Sequence, residues 1–194
     1  EGASAGDIIN TVTGKLYTND NPLVALPVAY KRLFLEWGPR ESGGGLVAQH
    51  EDASILSKTT KDNMGRDMLE NGNYIQTSAT HFVLSLNEDG SYDSAMIAMA
   101  GTQLKKSRTW NSVMASIKMR SGDKVFTPAS FSHKYVMKTK AESNDRGTWF
   151  GWNITLDGPL GEDEMFFYQA AKDFASTVGE VNLSQSNDNE STSE

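Results

Sequence analysis

The chain has 194 residues, with 18 Lys+Arg against 25 Asp+Glu, a formal charge of −7, and no cysteine. These figures allow one domain, or one domain with appendages, and 38% hydrophobic residues are enough for a real core. They exclude a disulfide scaffold, a thiol nucleophile and any zinc site built on thiolates. No apolar run reaches the roughly 18 residues that a membrane-spanning helix needs. The lack of cysteine suits a reducing compartment. The net charge at first argues against a nucleic-acid partner. The chain opens at Glu1 without an initiator Met or a charged-then-apolar leader, so we expect no signal peptide and a piece trimmed from a longer protein.

Residues 1–40 read as strands. Gly6–Asn10 and Gly14–Tyr17 flank a Thr/Val/Thr turn, and Asn19-Asp20-Asn21-Pro22 turns the chain into a long apolar run, Leu23 to Trp37. The second half of that run alternates, with Val28, Tyr30, Arg32, Phe34 and Glu36 on one face. Pro27 argues for an edge strand or a bulge. A glycine-rich loop follows at residues 38–45. Residues 51–71 predict one or two short helices of weak periodicity, an insertion in the strand order. His81–Leu86 and Ala95–Ala100 predict a hairpin about Asn87-Glu88-Asp89-Gly90.

Thr102–Met119 gives the clearest helix signal, with Thr102 as cap and Leu104, Trp110, Val113, Met114 and Ile117 on one apolar stripe. Ser130–Lys140 and Gly147–Asp157 predict two strands joined by a polar turn. Glu162–Val178 predicts a final helix with Met165, Phe166, Ala170 and Phe174 inward. From Glu180 onward the composition is acidic, Ser- and Asn-rich and free of Lys and Arg, which predicts a disordered acidic tail over 180–194 after a single domain over 1–179. Strands, one amphipathic helix, two more strands and a terminal helix make a strand-rich α+β chain. That order is the connectivity of an oligonucleotide-binding (OB) barrel, although other α+β sheets share it.

Counting charges by segment revises the first impression. Residues 102–140 hold nine Lys/Arg and a single acid, Asp123. Trp110, Phe126, Phe131, Tyr135, Trp149, Phe150 and Trp152 lie among them or just after. Cations neutralise phosphates and release counterions, and flat rings stack on bases, so this mixture suits sequence-tolerant binding of single strands. The competing reading makes the rings core and the lysines a solvated exterior. An acidic tail beside a cationic surface can act as a tethered competitor or simply aid solubility.

Catalytic signals are weak. His50, His81 and His133 lack metal-ligand spacing, the glycine-rich loop lacks the Lys-Ser/Thr of a phosphate-binding loop, and there is no Gly-x-Ser-x-Gly elbow. Glu162-Asp163-Glu164 at a helix start is explained by the macrodipole. No metal, cofactor or enzymatic activity is nominated.

Several blocks carry a resemblance. Gly6-Asp7-Ile8-Ile9-Asn10-Thr11-Val12-Thr13-Gly14, Pro27-Val28-Ala29-Tyr30-Lys31-Arg32 and Trp37-Gly38-Pro39-Arg40 are three of them. Thr102-Gln103-Leu104-Lys105-Lys106-Ser107-Arg108-Thr109-Trp110-Asn111 and Ser143-Asn144-Asp145-Arg146-Gly147-Thr148-Trp149-Phe150-Gly151-Trp152 are two more. Across about residues 4–175 the chain resembles single-stranded DNA-binding proteins of tailed bacteriophages. The resemblance implies an OB-type barrel, a role in replication or recombination in the cytoplasm of the infected host, and an acidic tail that recruits partner proteins. The chain departs from that pattern by ending Glu-Ser-Thr-Ser-Glu, without the terminal Phe common to such tails.

The resulting expectation is a non-enzymatic single-stranded DNA-binding protein. Lys105, Lys106, Arg108, Lys134, Lys138 and Arg146 would hold phosphates, with Arg32 and Arg40 as secondary contacts. Trp37, Tyr135, Trp149 and Trp152 would stack on bases. The reading allows a homo-oligomer and involves no membrane. The alternative is a phage structural or protein-recruiting module whose basic helix docks on an acidic protein.

Overall fold

The computed structural model describes residues 2–39, 41, 43–145 and 147–190, with side chains described as far as residue 179. It is a strand-rich α+β fold. Strands β1 (Ile8–Ile9) and β2 (Leu16–Tyr17) form a small antiparallel ribbon. The Asn10 side-chain oxygen closes the turn between them, accepting the N–H groups of Val12 and Thr13.

Strand β3 covers Leu23–Trp37, the whole of the predicted apolar run, and β4 (Leu46–His50) returns antiparallel to its end. Residues 51–71 hold one of the expected short helices, a 3₁₀ helix at Ala53–Lys58, and then two short strands, β5 (Thr60–Lys61) and β6 (Asp67–Met68). The 3₁₀ turn buries no residue, so nothing there extends it into a longer helix. Strands β7 (Tyr74–Leu86) and β8 (Tyr92–Ala100) form the predicted hairpin, longer than the turn signals alone indicated.

Helix α1 is Leu104–Ser116, entered through a 3₁₀ turn at Gly101–Gln103. Thr102 lies inside that turn and does not cap the helix. Strands β9 (Met119–Ser121) and β10 (Lys124–Phe126) make a separate two-stranded sheet with every residue exposed. Strands β11 (His133–Asn144) and β12 (Gly147–Pro159) pair antiparallel along nearly their whole length. Helix α2 runs from Met165 to Glu190, so the tail expected over 180–194 falls on residues whose side chains, and for 191–194 whose backbone, lie outside the description.

One eight-stranded sheet has the order β12-β11-β3-β7-β6-β5, with β4 on β3 and β8 on β7. Strand β3 is thus interior to the sheet order, against the edge position that Pro27 suggested. The strand tolerates Pro27 because β11 pairs with β3 only at Leu23–Ala25 and β4 only at Phe34–Trp37. The missing N–H falls between the two ladders.

The chain clusters into two compact units, one of residues 1–29, 82–96 and 110–194, the other of residues 30–81 and 97–109. The first unit has its core where Leu26, Val28 and Leu84 meet Phe167 and Ala171 of α2, with Phe131 and Phe174 packed against them. The buried stripe of α2 is therefore Phe167, Ala171 and Val178. Met165 and Phe166, expected inward, are about half exposed in the first turn of α2, whereas Ala170 and Phe174 pack against the core as expected. The second unit buries Phe34, Ile75, Ala79 and Met99 together with the polar Glu36, Thr80, His81 and Ser107. Among the described residues no helix is long and apolar enough to cross a membrane.

Candidate nucleic-acid interface

In the first unit the candidate site is the β11–β12 hairpin. Residues directly opposite in an antiparallel ladder share a face. Lys138 stands opposite Asn153, Lys140 opposite Gly151, and Glu142 opposite Trp149, so Lys138, Lys140 and Trp149 occupy one face. The Trp149 indole N–H donates to the Glu142 carboxylate at 3.1 Å, which fixes the ring beside the two lysines. Neither lysine has an ion-pair partner among the described residues. A ring and two cations on one surface can hold a base and its flanking phosphates. Trp152 pairs opposite Thr139 and falls on the other face, with Phe150 two residues away.

The turn end of the hairpin leans on the N-terminal segment. The Thr139 hydroxyl donates to the Gly6 carbonyl, and the Phe150 ring lies over Gly6. Gly6 has φ +99°, and a Cβ there would come within 2.7 Å of the Phe150 ring, so only glycine fits.

Two residues of the expected site are engaged elsewhere in the fold. Tyr135 is 1% exposed, its ring packs edge-on against Trp110 at 5.6 Å, and burial pushes its phenol up to about 12. It is a core residue and presents no face to a base. Lys134 is held by both oxygens of Glu164, at 2.7 and 2.9 Å, and its charge is already matched. That carboxylate also accepts the Gly161 N–H at 2.8 Å, and this bond first, then the lysine, holds it below the usual carboxylate range.

The second unit carries the other expected residues. Lys105 and Arg108 are exposed on α1 and Lys106 is partly buried. Arg32 is exposed and lies 6.0 Å from the Phe34 ring, a cation–π distance. Trp37 is half-buried, and its indole nitrogen finds no acceptor among the described residues. The nine cations of residues 102–140 are therefore divided, three to this unit and six to the first. Arg40 and Arg146 lie outside the described residues.

Sequence reasoning missed two polar clusters. In the second unit Glu36 is 8% exposed and receives Asn73 at 2.5 Å, Asn71 at 3.4 Å and the His50 ring at 2.9 Å. These bonds, Asn73 foremost, keep its carboxyl below the usual range. In the first unit an acidic cleft draws residues from five separate stretches of chain. Only Glu162-Asp163-Glu164 hinted at it, and that run was fully accounted for by its helix start. The other two histidines are also satisfied. His81, 1% exposed, bonds the Ser107 hydroxyl at 2.7 Å and is pushed down to about 4 by burial. His133 bonds the Ser132 hydroxyl at 2.8 Å and is likewise lowered by burial. Among the described residues no group of three or more His, Cys, Asp or Glu could hold a metal ion.

A family model described as Pam3 phage gp34-like protein matches residues 1–184. The chain belongs to that family. It is accordingly a phage protein, and the match covers residues of both compact units and every residue of the candidate interface. No curated protein and no solved structure matches it.

Proposed function

We propose that this phage protein binds and protects single-stranded DNA during replication or recombination in the host cytoplasm, without catalysing a reaction. The observation that carries the reading is the shared face of Lys138, Lys140 and Trp149 on the β11–β12 hairpin. The lysines neutralise neighbouring phosphates and release their counterions, and the indole stacks on a base for roughly 1–3 kcal/mol. In the second unit Lys105, Lys106, Arg108 and Arg32, with Trp37, form a cationic set of their own, and Trp152 is a further ring on the opposite face of the hairpin. On this reading the strand-rich domain is an OB-like barrel with α1 as its interposed helix, in keeping with the order of strands, helix, strands and terminal helix. The acidic C-terminal residues compete for the cationic surface and recruit replication or recombination proteins.

A second reading has support of its own. Helix α1 carries Lys105, Lys106 and Arg108 and no acidic residue, which suits docking on an acidic protein in a structural or recruiting role. Fluorescence anisotropy of a labelled oligo-dT and of a duplex of equal length separates the two. The DNA reading expects tighter binding to the single strand, lost as salt rises and weakened by Lys138→Glu with Lys140→Glu. Equal or tighter binding to duplex, or an unchanged affinity in that variant, overturns it.

A further inference from the structure

Two features of the first unit are left over by the DNA reading. One is a cleft of about 860 Å³, large enough to admit several side chains. Its lining is apolar in part, with Tyr17, Phe167 and the 49% exposed ring of Phe166. It also carries six carboxylates, Asp20, Glu88, Asp89, Asp157, Asp163 and Glu164, against two cations, Lys15 and Lys134. Both cations are engaged locally, Lys134 by Glu164 and Lys15 by the Asn87 side-chain oxygen. Hydrogen bonds from the Ser91 side chain and backbone keep Asp89 ionised by lowering its carboxyl. Such a cleft repels phosphate and repels an acidic tail. It favours a cationic occupant with apolar side chains.

The other feature has that chemistry. The β9–β10 hairpin forms its own two-stranded sheet, and Met119, Val125 and Phe126 are 41%, 59% and 43% exposed. Lys118, Arg120 and Lys124 are all exposed on or beside it, with Asp123 at the turn as its one acid. Arg120 and Lys124 have no ion-pair partner among the described residues. A two-stranded ribbon with no covered face is marginal in water and gains by docking. None of its residues lines the cleft of its own chain.

We propose that the β9–β10 hairpin of one copy of this chain docks in the acidic cleft of a second copy. Phe126 and Met119, opposite each other on one face of the ribbon, meet the Phe166 ring, while Lys124 on that face and Arg120 on the other meet Glu88 and Asp157 on the cleft walls. Each chain carries both halves at different places, so the contact is head-to-tail and builds a ring or an open array. The inference does not rest on DNA binding and is tested without nucleic acid.

Sedimentation velocity on the full chain provides the test. The wild type gains mass with concentration at low salt and loses that gain at high salt. Arg120→Glu with Lys124→Glu in one variant, and Glu88→Lys with Asp157→Lys in another, each weaken self-association at least tenfold. Mixing these two variants restores association, because each offers a surface complementary to the other, and restoration also shows that both are folded. A wild type that stays monomeric throughout overturns the proposal. So does undiminished self-association of the cleft variant, which would point to tail-mediated contact, or a mixture that remains monomeric.

Discussion

Two hairpins arise from the same basic stretch of chain and have opposite fates. In β11 burial alternates, with His133, Tyr135 and Met137 inside and the residues between them partly or fully exposed. In β9 and β10 every residue is exposed, whether Met119, Arg120, Val125 or Phe126. Charge density alone therefore does not define a surface. A strand with one buried face fixes its lysines and Trp149 in register on the other, whereas a ribbon with no covered face leaves both its cations and its apolar groups available.

Core truncation on the two hairpins breaks the comparison most strongly. Tyr135→Ala costs about 3–5 kcal/mol in urea unfolding, while Phe126→Ala stays within about 0.5 kcal/mol. Equal losses would remove the distinction between a packed and an uncovered hairpin.

Acid acts next, through the buried histidines. His81 is held neutral in the fold, with its folded value lowered to about 4 from the ordinary 6.5. The unfolded chain therefore takes up the proton first as pH falls. Stability is full above pH 6.5, drops between 6.5 and about 4, and loses about 3 kcal/mol across that window. His133 on β11 adds in the same direction, and β9–β10 has no histidine. Unfolding followed against pH checks this, and His81→Gln flattens most of the slope.

Smaller effects sharpen the comparison at the surface. Trp149→Ala lowers oligo-dT affinity by roughly 1–3 kcal/mol, and each lysine lost from the Lys138 and Lys140 face lowers the salt slope by about 0.7. The Lys134–Glu164 pair is smaller again. Both side chains keep a fifth to a quarter of their exposure, so Lys134→Met costs under about 1 kcal/mol of stability and leaves DNA affinity unchanged.

The legible parts of this fold were those with a long periodic signal. The apolar run of β3 and the stripe of α1 were readable because burial imposes their pattern, and the Asn-Glu-Asp-Gly turn of the β7–β8 hairpin because turn chemistry is local. Strands β4, β5, β6, β9 and β10 have five residues or fewer, with little or no burial, and left no pattern to find. In the candidate site the basic segment was legible. The identity of its ligand-facing rings was not, since a tyrosine on an alternating strand has the same spacing whether its face packs or stacks. Tyr135 packs because Trp110 of α1 covers it, a contact across 25 positions of sequence. The acidic cleft was invisible for the same reason, being assembled from distant stretches.

The most direct test of the central claim is a tryptophan fluorescence titration with oligo-dT at rising salt. Of the four tryptophans, Trp110 is buried and silent, so quenching reports Trp149 and the partly exposed Trp37 and Trp152. The account predicts saturable quenching at low salt, an affinity that falls steeply as salt rises, and a smaller amplitude in Trp149→Phe. Unquenched fluorescence at low salt would contradict it.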